Sequence, residues 1–321
     1  MSIFKKIASS FGILFLLLIL GLAIYGYKNE ALIADQLIEE VQKNMQTELD
    51  IESYSISLFK NFPSASATLK NVRLEGKNGK PFINAGNIEF KLGLYSLLRA
   101  KTSIHQVTLK DATVHILDHG RKDRNYEVFI KKKDKAKGNF SLNFNKTILE
   151  NVNLIFENKK SNHKHELQIE NGFVKGNVNE DYLNLDIEIN TLSKYLDVSE
   201  TVFAKNVPLD IVGNLEVHLE EGAYAFNDLS IDLNDNLIHL NGSIQNKEGH
   251  DYYQLDFDCN NGNIASLIKS MPKSIRDDFS IYSPSGQITL KGKVYGRSSK
   301  KENPKIDISY KATQWSLNYA K

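Results

Sequence analysis

Ala67–Gly76 reads ATLKNVRLEG. Val107–Ile116 reads VTLKDATVHI, and Thr147–Phe156 reads TILENVNLIF. Leu69, Leu109 and Leu149 stand 40 residues apart. Each is followed two positions on by Asn71, Asp111 or Asn151, and five positions on by Leu74, Val114 or Leu154. A weaker fourth copy, FNDLSI, runs from Phe226 to Ile231. Each phrase reads as a strand with a kink at Asn or Asp, residues that accept a bulge or tight turn. Such a period suggests stacked units that extend one sheet, with the three phrases in equivalent places.

Around these phrases the dominant period is two. LNLDIEIN sets Leu183, Leu185, Ile187 and Ile189 on one side and Asn184, Asp186, Glu188 and Asn190 on the other. Leu209 and Ile211 alternate in PLDIVGN, and Leu215, Val217 and Leu219 alternate in NLEVHLEE. Alternation of this kind marks a sheet with one wet and one dry face. About fourteen to sixteen strands fit between the turn signals. Helical patterns between them are rare, so the sheet should be mostly antiparallel. Short helices are expected at Leu94–Lys101, Thr191–Val198 and Ile264–Lys269.

The N-terminus is different. Phe11–Tyr27 carries no charge, follows Lys5 and Lys6, and includes Phe11, Leu14, Leu17, Leu20 and Ile24. As a helix it would span roughly 26 Å, near the 30 Å of a hydrocarbon core. The positive flank places residues 1–10 in the cytoplasm, an anchor at residues 11–28, and the rest across the membrane. The rival reading, a cleaved signal peptide, has a shorter apolar run and a small-residue cleavage site. Residues 29–50 place Leu37, Val41, Met45 and Leu49 at helical spacing, a stalk or a cap on the adjoining strands.

Composition narrows the function. Net charge is +1 across 321 residues, which gives no field to attract nucleic acid. The single cysteine, Cys259, rules out an internal disulfide and alternates with Leu255 and Phe257 as a buried apolar-face residue would. The chain holds no nucleophile elbow, P-loop or dinucleotide fingerprint, so neither catalysis nor a cofactor is expected. SPSGQ at Ser283–Gln287 reads as a turn, and KKKDKAKG at Lys131–Gly138 as a solvated loop. His163 and His165 could share a strand face and hold a metal, but their lysine-rich surroundings favour a turn. His115 and His119 have i, i+4 spacing in a segment that reads as strand.

Phe62-Pro63, LKNVRL, GNIEFKLGLYSLLRAK and IHQVTLKDATVHI, behind an apolar anchor, together resemble the N-terminal signature of the AsmA-like family. The softer matches FSLNFNKTILENVNLIFENKK, NLDIEINTLSKYL and DCNNGNIASLIKSMP carry the resemblance over most of Ser10–Thr313. It implies a mainly β protein: an N-terminal transmembrane helix, then an elongated, curved, mostly antiparallel repeating β-groove over residues 51–321, with a few short helices. It also implies similarity to chorein-type lipid bridges, with membrane phospholipids as partners. Family members are usually longer, so the groove is expected to be incomplete at its C-terminal end. Leu183, Leu185, Ile187, Ile189, Leu209, Ile211, Leu215, Val217 and Leu219 are then candidate groove residues. From the residues alone a second solution stays open: a β-sandwich scaffold that binds outer-membrane or periplasmic proteins. An apolar sheet face must be covered in either case.

Overall fold

The computed structural model describes residues 35, 38–39, 42–43, 45–61, 64–93, 104–119, 123–126, 128, 146–159, 162–178, 182–198, 200–218, 221–248, 250–279, 281–298 and 302–319. The expected anchor, the expected helix at Leu94–Lys101 and the lysine-rich Lys131–Gly138 lie outside the described residues.

The strands are β1 (Leu49–Asn61), β2 (Ser64–Glu75), β3 (Pro81–Gly93), β4 (Ile104–Asp118), β5 (Thr147–Asn158), β6 (His163–Val178) and β7 (Tyr182–Val198). They continue as β8 (Thr201–Phe203), β9 (Val207–His218), β10 (Ala223–Leu233), β11 (Leu237–Lys247), β12 (His250–Asn263), β13 (Tyr282–Ser298) and β14 (Lys305–Tyr319). All 14 belong to one open sheet. The order follows the sequence, with β8 set aside as a short extra partner of β7. Every pairing is antiparallel except β4 with β5. The substantial strand contacts run between sheet neighbours. The described strands therefore form no second layer, which removes the sandwich as the way they cover the dry face.

The three phrases explain a seam across this sheet. Along a regular strand, residues of odd separation point to opposite faces. Yet Leu69 and Val72 belong to one buried cluster, as do Leu109 with Ala112. The residue that shifts the parity is Asn71 (φ 49°), Asp111 (φ 51°) or Asn151 (φ 53°), each in the left-handed region. Asn and Asp visit that region at lower energy than other side chains do. The neighbouring strands make the same step at Glu52, Gly86 and Glu170, so the ladder stays in register from β1 to β6. Further along, Asp228, Asn261 and Gln314 make it as bulges in β10, β12 and β14. Polar side chains help to hold the seam: Asn151 Nδ2 donates to Asp111 Oδ1 at 2.7 Å, and Asn71 donates to Glu52.

The 40-residue interval has two structural causes. Leu69 and Leu109 are separated by a hairpin and one strand, since both pair with Ile88 of β3. Leu109 and Leu149 pair directly, because β4 and β5 are parallel and joined by a long connection. The three leucines nonetheless share one level of one sheet, as expected.

Three expectations need correction. Thr191–Val198 is the end of β7, not a helix. Its helix-like spacing of Leu192, Tyr195 and Leu196 comes from an extra residue, Lys194, between the pairs Leu167–Ser193 and Glu166–Tyr195. Ser283–Gln287 lies inside β13 rather than in a turn. Its Gly286 (φ 122°) faces the Gln314 bulge, where a Cβ would stand 2.6 Å from the Trp315 Cα. Leu49 belongs to β1 and pairs with Leu74, and among the described residues of this segment the helical positions all precede Met45. The helix expected at Ile264–Lys269 is present as α1 (Ile264–Ser270), capped by Asn263 Oδ1 accepting from Ser266 N. A second helix, α2 (Lys273–Asp278), comes directly after it.

One end of the dry face is roofed. Ile38 packs on the cluster of Leu69, Val72, Leu109 and Val152, and Met45 packs with Leu74 and Val128. The roof is pinned by Asn125, which is fully buried. Its Oδ1 accepts from Leu117 N at 2.8 Å, and its Nδ2 donates to the Pro81 and His115 carbonyls. Beside it Asp123 accepts from Lys80 Nζ at 2.9 Å and Asn78 Nδ2 at 2.7 Å and meets His119 Nδ1 at 2.8 Å. Lys80 first, then Asn78 and His119, hold the Asp123 carboxyl far below the usual carboxylate range.

Candidate apolar track

Cross-strand pairing builds the site. Starting from Tyr54, successive partners are Leu69, Ile88, Leu109, Leu149, Gly172, Ile189, Ile211, Ile231, Ile238, Cys259, Leu290 and Tyr310. One unbroken row of apolar or aromatic positions thus crosses the sheet from β1 to β14, with Gly172 alone lacking a side chain. At about 4.8 Å per strand the row is about 58 Å long. Parallel rows flank it. One runs Leu185, Leu215, Phe226, Gly242, Leu255, Val294 and Ile306. Another runs Leu183, Val217, Tyr224, Ile244 and Tyr253.

The expected groove residues converge here. Leu183, Leu185, Ile187 and Ile189 of β7 pair with Val217, Leu215, Gly213 and Ile211 of β9, and Leu209 lies two positions from Ile211 on the same face. Leu219 lies outside the described residues. Ile189, Leu209 and Val217 are buried, while Leu183, Leu185, Ile187, Ile211 and Leu215 are half-exposed. Sequence reading missed the part of the track carried by β10 to β14. Its signal was present in the alternation of Ile238 with Leu240, Leu255 with Phe257, and Ile306 with Ile308.

Coverage falls along the row. Leu69 and Leu109 are 8% exposed, but Tyr310 is 73% exposed. Next to Tyr310, Ile306, Ile308 and Trp315 are likewise exposed. The opposite face is polar: Asn214 Nδ2 donates to Asn184 at 2.7 Å and Asp186 at 3.0 Å, and Asn227 Nδ2 donates to Asn214 at 3.1 Å and Glu216 at 3.2 Å. Lys110 and Glu150 pair there at 3.3 Å. The sheet therefore separates a hydrated surface from an apolar one along its whole width.

Chemical groups on the dry face are few. Cys259 is buried in the row, and burial pushes its thiol up, with Asp258 and Asp232 adding to the effect. A protonated buried thiol is a packing group, not a nucleophile. His163 and His165 lie in β6 rather than in a turn, their ring centroids 5.8 Å apart, and His165 stacks on Phe156 at 5.8 Å. Among the described residues no cluster of three metal-ligating side chains occurs. His115 and His119 do not meet in a shared site: His115 Nε2 lies 3.7 Å from Glu157, and His119 faces Asp123.

Desolvation, then the His163 charge, lowers the His165 pKa below 6.5, with Asp197 opposing. A depressed folded-state pKa means that protons bind the unfolded chain more tightly. Its contribution to stability is present above 6.5 and is lost as pH falls from there toward the folded value. Thermal melting between pH 7.5 and 5 should therefore show a falling midpoint. His165→Phe, which keeps the stack on Phe156, should flatten that slope.

A family model described as the AsmA family matches residues 1–293. Neither a curated protein nor a solved structure matches the chain.

Proposed function

The chain belongs to the AsmA family, and on that footing we propose that it is an inner-membrane-anchored envelope protein whose β-sheet binds acyl chains. It would thereby contribute to phospholipid transport or outer-membrane lipid homeostasis. The observation that carries this reading is the apolar row from Tyr54 to Tyr310. Beyond its roofed end, from Ile211 to Tyr310, the row is half-exposed or exposed at every position but Cys259, and a soluble protein rarely leaves a contiguous apolar surface of that extent facing water. Burying it against lipid chains gains about 25 cal/mol for each Å² of apolar surface removed from water. The glycines set along the dry face, among them Gly176, Gly213 and Gly242, allow strands to approach closely and so favour a sheet curved around its contents. In this proposal residues 11–28 anchor the chain, the N-terminus is cytoplasmic and the sheet is periplasmic. The protein acts by binding rather than by catalysis.

The test is direct. Residues 29–321, expressed in the envelope without the apolar run, should co-purify with phospholipid at one or more molecules per chain. Native mass spectrometry reads this. A folded preparation free of lipid would contradict the proposal.

A further inference from the structure

The polar face holds a hollow where three irregularities of the sheet meet. β4 and β5 kink side by side at Asp111 and Asn151, and β7 carries the extra residue Lys194. The depression they form measures about 390 Å³, within the range of small-molecule sites. It lies on β4 to β7, strands in the interior of the sheet, so neither sheet edge contributes to it. Among the described residues its lining is polar apart from Ala112. Thr113, Asn153 and Gln168 are partners on adjacent strands and cross it in a row, about 4.8 Å apart.

Donors and acceptors are mixed around this row. Asn151 Nδ2 donates to Asp111 Oδ1 at 2.7 Å, and Asn153 Nδ2 donates to Glu166 Oε1 at 3.4 Å. Each bond uses one carboxylate oxygen and leaves the amide carbonyl over. The Thr113 hydroxyl, the Gln168 amide and the Lys194 ammonium have no side-chain partner among the described residues. This chemistry selects the ligand. Two carboxylates disfavour phosphate or any other anion, and the ammonium disfavours a cation. The polar lining offers an acyl chain nothing to pack on. Hydroxyl groups both donate and accept, so neighbouring hydroxyls are matched by a carboxylate set beside an amide or an ammonium. We propose that the hollow binds a neutral glycan chain, its hydroxyls shared among Asp111, Glu166, Gln168 and Lys194. Tyr195 pairs with Glu166 across the ladder and so adds an aromatic ring to the same face. The glycan and the acyl chains occupy opposite faces of one sheet, so both can be bound at once.

Isothermal titration calorimetry on the full chain, in a detergent without a sugar headgroup, tests this with cellotetraose and chitotetraose, two neutral tetrasaccharides. Saturable binding of at least one is expected, with a Kd of about 1 mM or tighter. Asn153→Ala combined with Gln168→Ala should weaken it about tenfold or more, since two hydrogen bonds are lost. The melting temperature should stay unchanged, because both side chains lie on the hydrated face. Failure of both sugars to saturate by about 10 mM, or equal affinity in the double variant, would overturn the proposal. So would displacement of the sugar by inorganic phosphate, which would assign the hollow to an anion. Phospholipid bound per chain should be the same in the double variant as in the unaltered protein. The glycan site can therefore fail while the acyl-chain reading stands.

Discussion

Ile211→Glu and Ile187→Glu should leave the protein folded and strip it of lipid, while Ile169→Glu should unfold it. All three residues lie on the dry face. Ile169 is 2% exposed inside the cluster beneath Ile38, so a carboxylate there has neither water nor a partner. That burial costs several kcal/mol against a total stability of about 5–15 kcal/mol. Ile187 and Ile211 touch the same cluster from its half-exposed border. A glutamate at either position can turn toward water, at the expense of the apolar continuity between Ile189 and Ile231 for Ile211, and between Leu185 and Ile189 for Ile187. Thermal melting should lose its cooperative transition in Ile169→Glu and keep it in the other two. Co-purified phospholipid should fall several-fold in Ile187→Glu and Ile211→Glu. Collapse of both border variants at growth temperature would mean that the face is an ordinary core and would sink the track.

Gly242→Val should be strongly damaging although Gly242 lies outside the buried cluster. Gly242 adopts φ 127°, a region that strains any residue with a Cβ, and valine most of all. An added Cβ would also stand 2.0 Å from the Gln254 carbonyl oxygen and 2.9 Å from the Leu255 Cα, both backbone atoms of β12. The β11–β12 ladder would have to open, with a loss of about 3 kcal/mol or more. Gly79→Ala is the matched control. Gly79 has φ 70° but nothing within 4 Å of an added Cβ, so only the conformational term of about 1–2 kcal/mol remains. Equal melting temperatures for the two variants would show that the close approach at Gly242 is relaxed in solution.

The seam shows what the sequence could and could not disclose. Asn71, Asp111, Asn151 and Asp228 advertise a kink because their side chains tolerate the left-handed region, and the structure has them there. Gln314 makes the same turn at φ 52° with no such signature, so its bulge was not legible. Alternation assigned the faces of β7 and β9 correctly. It misled at Thr191–Val198, where an inserted residue makes strand spacing imitate a helix. The parallel pairing of β4 with β5 left no trace, because the segment joining them carries no helical period to announce a crossover. Individual track residues were readable from their own strands. Their continuity from Tyr54 to Tyr310 was not, since it depends on thirteen strands keeping register with one another.

A fatty acid carrying a photoreactive diazirine, irradiated with the purified protein and mapped by peptide mass spectrometry, tests that continuity most directly. Crosslinks are expected along the dry row, at Ile211, Ile231, Ile238 and Leu290. None is expected at Val212, which is 50% exposed on the polar face one residue from Ile211. Labelling of Val212 as strong as that of Ile211, or labelling confined to surface loops, would contradict an acyl-chain track on this sheet.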